Sequence, residues 1–226
     1  MCGRFSQFSS LEIIQQTFSV ETAMFEETPN YNVAPTQKIL AIIKQEDKNK
    51  LEYLHWGLVP FWAKDISIGS RMINARAETV ASKPSFRNAF KKRRCLIPAD
   101  GFYEWKGEKG DKQPYYIFTP FGEPFAFAGL WETWTDKESD EESVYKSCTI
   151  ITTVASESIR EIHNRMPAIL DPKYHGKWLD AEIQDPKELE TILQDGIILD
   201  MISYPVSTLV NSVKNNDPYC IKPIKL

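Results

Sequence analysis

From residue 39 to residue 154 the chain is a succession of short runs rich in Ile, Val, Phe, Tyr and Trp, most of them closed within a few residues by a turn signal. Runs of this length and composition bury as strands, and hairpin-length connections between them favour antiparallel neighbours. The spacing predicts strands at 39–43 and 51–58 joined by the polar turn QEDKNK, and a strand-like segment at 94–106 broken by Asp100–Gly101. After a hairpin loop at 106–113 come strands at 114–119, 125–134 and 145–154, with one more extended piece at 204–210. Helices are fewer. Ser10 caps a segment in which Leu11, Ile14 and Phe18 share one face, and 82–90, 156–163, 172–179 and 185–194 also read as helical. The expected fold is α+β, with mostly antiparallel strands in a barrel-like core and helices flanking it.

A chain of 226 residues, 42% of them hydrophobic, suits one domain spanning 1–226. Its longest apolar runs are too short to cross a bilayer, and the N-terminus lacks the charged, apolar, small-residue order of a secretory signal, so a cytoplasmic location and no membrane partner are expected. Cys2, Cys95, Cys148 and Cys220 are widely separated, and three histidines offer no ligand spacing; neither a disulfide framework nor a metal is expected. The net charge of −4 argues against a general nucleic-acid coat, yet charge is unevenly spread. Residues 71–94 carry eight Lys and Arg against Glu78 alone, whereas 132–142 carry six acids against Lys137. The acidic run reads as a solvated, mobile loop; the basic run is equally a phosphate-binding face or a solvated one.

Four positions could carry chemistry. Cys2, once Met1 is removed, would present an α-amine and a thiol on adjacent carbons, with pKa values near 7.7–8.0 and 8.5 and usable neutral-amine and thiolate fractions at neutral pH. The amine can capture an aldehyde as an imine, and the thiol can then close a five-membered thiazolidine. Asn74 offers two donors and an acceptor for orienting a sugar or an amine, and Arg76 two residues later suits a phosphate. Glu104 lies between Tyr103 and Trp105, where partial desolvation would raise its pKa toward acid/base use. His163, ending a helix before Pro167, is a natural proton shuttle. Each has a plain structural alternative, respectively a chance cysteine, a turn-capping Asn, an outward-facing strand glutamate and a packed histidine. Pro35 and the 56–62 segment add loop aromatics and prolines on which unpaired bases stack, with core packing the expectation for Trp56.

Together these segments resemble the SRAP family, whose proteins sense and shield abasic sites during the SOS response and replication. The resemblance rests on MCGRF at 1–5, YNVAPTQ at 31–37, WGLVPFWAK at 56–64, INARAET at 73–79, CLIPADGFYEWK at 95–106, IHNRMPAIL at 162–170 and YPVSTLVNSVKNND at 204–217. It implies Cys2 as nucleophile, Asn74 orienting the linked residue, Glu104 as principal acid/base, and His163 assisting sugar opening and proton transfer. Arg4, Arg76 and Arg165 would contact phosphates, with Pro35 and Trp62 near unstacked bases. It further implies a distorted antiparallel barrel, self-removal of Met1, no cofactor, and a monomer acting on abasic single-stranded DNA beside the replication machinery. Two other readings fit Cys2 and the basic run: an N-terminal-nucleophile amidohydrolase, and a non-catalytic reader of single-stranded DNA.

Overall fold

The computed structural model describes residues 2–21, 28–108, 110–136 and 144–226; expectations for Met1 and for the acidic run from 137 to 142 fall outside the described residues. In chain order the elements are β1 (Phe5–Gln7), α1 (Leu11–Phe18), β2 (Asn30–Val33), β3 (Lys38–Gln45), β4 (Lys48–Trp56), β5 (Asn74–Arg76), α2 (Arg87–Lys92), β6 (Arg94–Ala99), β7 (Gly101–Lys106), β8 (Gln113–Phe118), β9 (Phe125–Thr135) and β10 (Val144–Val154). There follow α3 (Glu157–Arg160), β11 (Arg165–Pro167), β12 (Ile169–Leu170), α4 (Pro172–Leu179), α5 (Pro186–Asp195) and β13 (Ile202–Pro205), then short 3-10 turns at Thr208–Asn211 and Pro218–Ile221.

Five strands close on themselves: β10 pairs with β4, β4 with β3, β3 with β6, β6 with β9, and β9 returns to β10. The ring is antiparallel except where Ser147 and Cys148 of β10 run parallel to His55 and Trp56 of β4. β5 adds a second parallel pairing, Ile150–Thr152 against Asn74–Arg76. The mostly antiparallel, barrel-like core expected from the sequence is present, with parallel pairings only where β4 and β5 reach β10 through long connections rather than hairpins.

Alternation along each strand sorts side chains between the inside and the outside of this barrel. Ile39, Ala41 and Ile43 of β3 cluster inside with Cys95 and Ile97 of β6, Phe127 of β9 and Ile150 of β10. The intervening Ile42, Leu96, Ala128 and Ile151 belong to an outer layer covered by Ile14 of α1, Phe90 of α2, Trp178 of α4 and Leu189 of α5. Burying each large apolar side chain stabilises the fold by roughly 1.5–3 kcal/mol, so both surfaces of the wall contribute.

A second, antiparallel sheet (β13-β8-β7-β1-β2) leaves the barrel at Asp100, the corner between β6 and β7. The Asp100 carboxylate accepts the backbone N–H groups of Phe8 at 2.6 Å and Ser9 at 3.0 Å, and the Ser9 hydroxyl, which ties the end of β1 to the corner. Gly101 follows because a Cβ there would lie 2.2 Å from the Tyr116 ring. Gly57, just past β4, has φ +139° and a would-be Cβ 2.6 Å from the Gly69 carbonyl oxygen, so only glycine lets the chain leave β4 there.

Several boundaries differ from the sequence expectation. The turn expected over six residues is two, Glu46 and Asp47, both at positive φ (49° and 62°), a tight hairpin that lets the flanking polar residues pair. The helix expected at 82–90 is Arg87–Lys92, preceded by turns in which the Lys83 carbonyl accepts the N–H groups of Phe86 and Arg87. The helix expected at 156–163 is Glu157–Arg160, and only the first part of 204–210 is extended. The basic run does not form one face: Arg94 is 3% exposed and donates to the carbonyls of Trp178, Phe90, Lys91 and Asp180. Its neighbour Arg93 pairs with Glu132, the first residue of the acidic run, which is buried on β9 rather than solvated.

Gly101→Ala should be destabilising by about 1–3 kcal/mol through overpacking against Tyr116. Thermal unfolding should record a melting temperature lower by roughly 2–10 °C for a domain of this size. An unchanged melting temperature would mean that the Tyr116 ring yields freely.

Candidate active site at the N-terminal cysteine

β1 is held on both sides, by β2 through Phe5 and Val33 and by β7 through Phe5 and Phe102. The Tyr103 N–H donates to the Arg4 carbonyl at 2.9 Å, extending that grip toward the N-terminus. Cys2 is thereby carried into the barrel-side cluster and is fully buried. Burial, followed by the nearby Glu104 charge, pushes its thiol well above the ordinary cysteine range. In the chain that still carries Met1, desolvation therefore favours the protonated sulfur, and a base nearby would help to activate it.

Asn74 opens β5, whose position follows from its register with β10 and from Trp56, buried as expected, whose indole N–H donates to the Ile73 carbonyl at 2.9 Å. Asn74 Nδ2 donates to the Cys2 carbonyl at 2.7 Å. Its Oδ1 is buried with no partner among the described residues, leaving an acceptor beside Cys2.

Glu104 is 4% exposed, and burial raises its carboxyl pKa to about 7. The cause differs from the one the sequence suggested. Tyr103 packs with Tyr116, Val206 and Val210, and Trp105 lies against that same cluster, on the face of β7 opposite Phe102. By strand alternation Glu104 shares the Phe102 face, so the barrel and β1, rather than its two aromatic neighbours, remove it from water.

His163 lies just beyond α3. Its Nδ1 accepts the Arg165 N–H at 3.0 Å and stands 3.9 Å from Glu104 Oε1, within ion-pair range and beyond a hydrogen bond. Burial lowers the imidazole pKa, partly offset by the contact with the Arg165 backbone. A mostly neutral histidine thus faces a carboxyl that is half-ionised near neutral pH. Cys2, Asn74, Glu104 and His163 are brought together from four separate segments.

The residues expected to meet DNA are more dispersed. Arg76 is exposed on β5. Arg165 opens β11, with Nη2 donating to the Thr152 carbonyl at 2.6 Å and the guanidinium paired with Glu78. Trp62 is 48% exposed beside Phe61, and Pro35 is half-buried. Arg4 turns inward. Its Nη1 donates to Asn32 Oδ1 at 2.7 Å and to the Val210 carbonyl, and the guanidinium lies 6.0 Å from the Trp105 ring centroid. Asn32 was not singled out in the sequence although YNVAPTQ contains it; buried, it also donates to the carbonyls of Val210, Ser212 and Asn215. It staples the C-terminal segment to the residues that carry Cys2. Among the described residues no cluster of His, Cys, Asp or Glu is arranged to hold a metal ion, and no helix is long and apolar enough to cross a membrane.

The family model described as SOS response associated peptidase (SRAP) matches residues 1–213. The chain is 47% identical over 225 residues to abasic site processing protein YoqW of Bacillus subtilis (strain 168), covering 98% of this chain and 99% of that protein. It is 35% identical over 230 residues to abasic site processing protein HMCES of Gallus gallus, covering 88% of this chain and 67% of that one. A crystal structure of a protein from Bacteroides thetaiotaomicron superposes with a TM-score of 0.84 at 26% identity, covering 99% of this chain and 100% of that chain.

Glu104 should leave a signature in the pH dependence of stability. A carboxyl that ionises at about 7 when folded and near 4.5 in the open chain binds its proton more tightly in the folded state. It therefore costs nothing below the lower value and weakens the fold increasingly as pH rises to about 7. Glu104→Gln removes this dependence, so thermal unfolding of the variant should gain on wild type between pH 4.5 and 7 and hold that gain above. A difference that stays flat with pH would return the carboxyl to its ordinary range.

Proposed function

The chain belongs to the SOS response associated peptidase (SRAP) family, and from that premise we propose that it processes abasic sites in DNA by capturing them covalently on Cys2. The observation that carries this reading is the convergence of Cys2, Asn74, Glu104 and His163 at the end of β1. An amide oxygen, a carboxyl balanced near neutrality and a neutral imidazole surround the one cysteine that can offer both a thiol and a free amine. The amine requires prior loss of Met1, by self-cleavage in the family manner.

The chemistry then runs in two stages. The Cys2 amine adds to the aldehyde of the ring-opened abasic sugar, one of its protons passing to the oxygen. Glu104 protonates the resulting hydroxyl so that it leaves as water, and the Glu104 carboxylate then takes back the remaining N–H proton, giving an imine. The thiol next adds across the C=N bond: a C–S bond forms, the sulfur proton passes through Glu104, and the nitrogen receives it. The raised thiol pKa makes this relay necessary. Asn74 holds the Cys2 carbonyl and offers Oδ1 to the amine. His163 assists opening of the sugar. Ring closure is intramolecular, so a high effective molarity draws the reversible imine into a lasting thiazolidine.

Arg76 and Arg165 are assigned to the DNA backbone and Trp62 and Pro35 to unstacked bases, which favours single strands over paired duplex. Arg4, tied to Asn32 and Val210, is assigned instead to holding the strand that carries Cys2. The protein acts as a monomer in the cytoplasm without a cofactor, shielding abasic sites beside the replication machinery.

A denaturing gel with abasic single-stranded DNA tests the reading. Wild type should give a retained adduct, and inserting one alanine between Met1 and Cys2, which leaves the thiol but blocks its amine, should abolish it. A stable adduct from the inserted protein, shown by mass to keep the added residue, would falsify the thiazolidine route. Glu104→Gln should slow both formation and reversal of the adduct, on the order of 10²–10⁴-fold. Arg76→Ala should instead weaken non-covalent binding and flatten its salt dependence by about 0.7 in the logarithmic slope. If saturated chemistry collapses while that slope holds, Arg76 acts on the reaction instead.

A further inference from the structure

Arg76 and Arg165 meet at one residue, Thr152. Arg76 is its register partner across β5 and β10, while Arg165 Nη2 donates to its carbonyl at 2.6 Å. Glu78, two residues past Arg76, completes the group. Its carboxylate takes both terminal nitrogens of Arg165, Nη1 on Oε1 and Nη2 on Oε2 at 3.0 Å. That is the bidentate edge a phosphate would use. The other edge begins at Nε, which is buried without a partner. Glu78 also feels Arg76: its carboxyl is held below the usual range, first by the Arg165 hydrogen bond and in smaller part by the Arg76 charge.

The geometry points to Glu78 as an internal occupant of the phosphate position, a specificity-determining residue that DNA must displace from Arg165. The inference rests on the reading above, in which Arg165 faces the DNA backbone. Displacement is feasible because the Glu78 side chain is 48% exposed, and the groove of about 540 Å³ that it lines with Ala77 and Val154 gives it room to turn away. Partly exposed ion pairs are weak, so the blockade lowers affinity by about two- to fivefold rather than abolishing it. The consequence is selectivity. An intact strand competes with Glu78 and leaves, whereas an abasic strand is retained by the bond to Cys2.

The experiment is anisotropy of an intact single-stranded oligonucleotide, titrated at several salt concentrations with wild type, Glu78→Gln, Glu78→Asp and Glu190→Gln. Glu190 lines the same groove, so its substitution makes the same charge change away from Arg165. Glu78→Gln should tighten binding about two- to fivefold and steepen the salt slope, as one more phosphate contact forms. Glu78→Asp, with a shorter reach, should fall between it and wild type, and Glu190→Gln should gain less. In an Arg165→Ala background the Glu78→Gln gain should shrink to the Glu190→Gln level. Unchanged or weaker binding by Glu78→Gln and Glu78→Asp, or equal gains from Glu78→Gln and Glu190→Gln, would overturn the inference while leaving covalent capture standing. A wild type that neither binds the strand nor forms an adduct with abasic DNA would overturn the reading beneath it.

Discussion

Strand β10 is hydrogen-bonded along both edges, and the positions of the reactive groups descend from that double pairing. One edge takes β4 and then β5 in parallel register, placing Asn74 opposite Ile150 and Arg76 opposite Thr152. The other takes β9 and then β11, placing Arg165 opposite Val154. A slip of one residue would turn every side chain on β5 to the wrong face, and the barrel core beneath Ile150 forbids it. The second sheet completes the site from the other side, bringing Glu104 on β7 and, through β1, Cys2. The proposed active site is therefore a seam between two sheets, joined at the Asp100 corner.

Burial at this seam changes the protonation of its groups and has an electrostatic cost. Desolvation raises the Cys2 thiol and the Glu104 carboxyl together, so neither carries a full charge at neutral pH. A protonated thiol and a half-ionised carboxyl near a mostly neutral imidazole are suited to the proposed proton relay in a way that no single residue's ordinary pKa would be. The buried carboxyl destabilises the fold near neutrality, and the apolar layers inside and outside the barrel offset the loss.

Charge on the surface follows a different economy. The chain as a whole is acidic, while Arg165 is held on the Thr152 carbonyl and paired with Glu78, with Arg76 as the register partner of Thr152 on β5. Two other cations of the basic run are structural: Arg94 caps carbonyls around α2 and α4, and Arg93 neutralises a buried Glu132.

Much was legible in the sequence because it is written locally. Helix caps at Ser10 and Asp185, the Asp100–Gly101 break and the strand runs at 114–119, 125–134 and 145–154 depend on neighbours a few residues away, and they lie within a residue or two of where they were expected. Cys2, Asn74, Glu104 and His163 were legible as chemistry because their side chains define what they can do. What the sequence could not contain was distance. The parallel edge of β10, the inward turn of Arg4 onto Asn32 and Val210, and the Glu78–Arg165 pair join residues far apart in the chain. The protonation states belong to the same class. Glu104 was expected to be desolvated by Tyr103 and Trp105, yet those rings lie across the strand, and the water is excluded by a barrel assembled from distant segments. Residue type and local pattern determined which groups are available; tertiary structure alone decided their burial, and burial sets their charge.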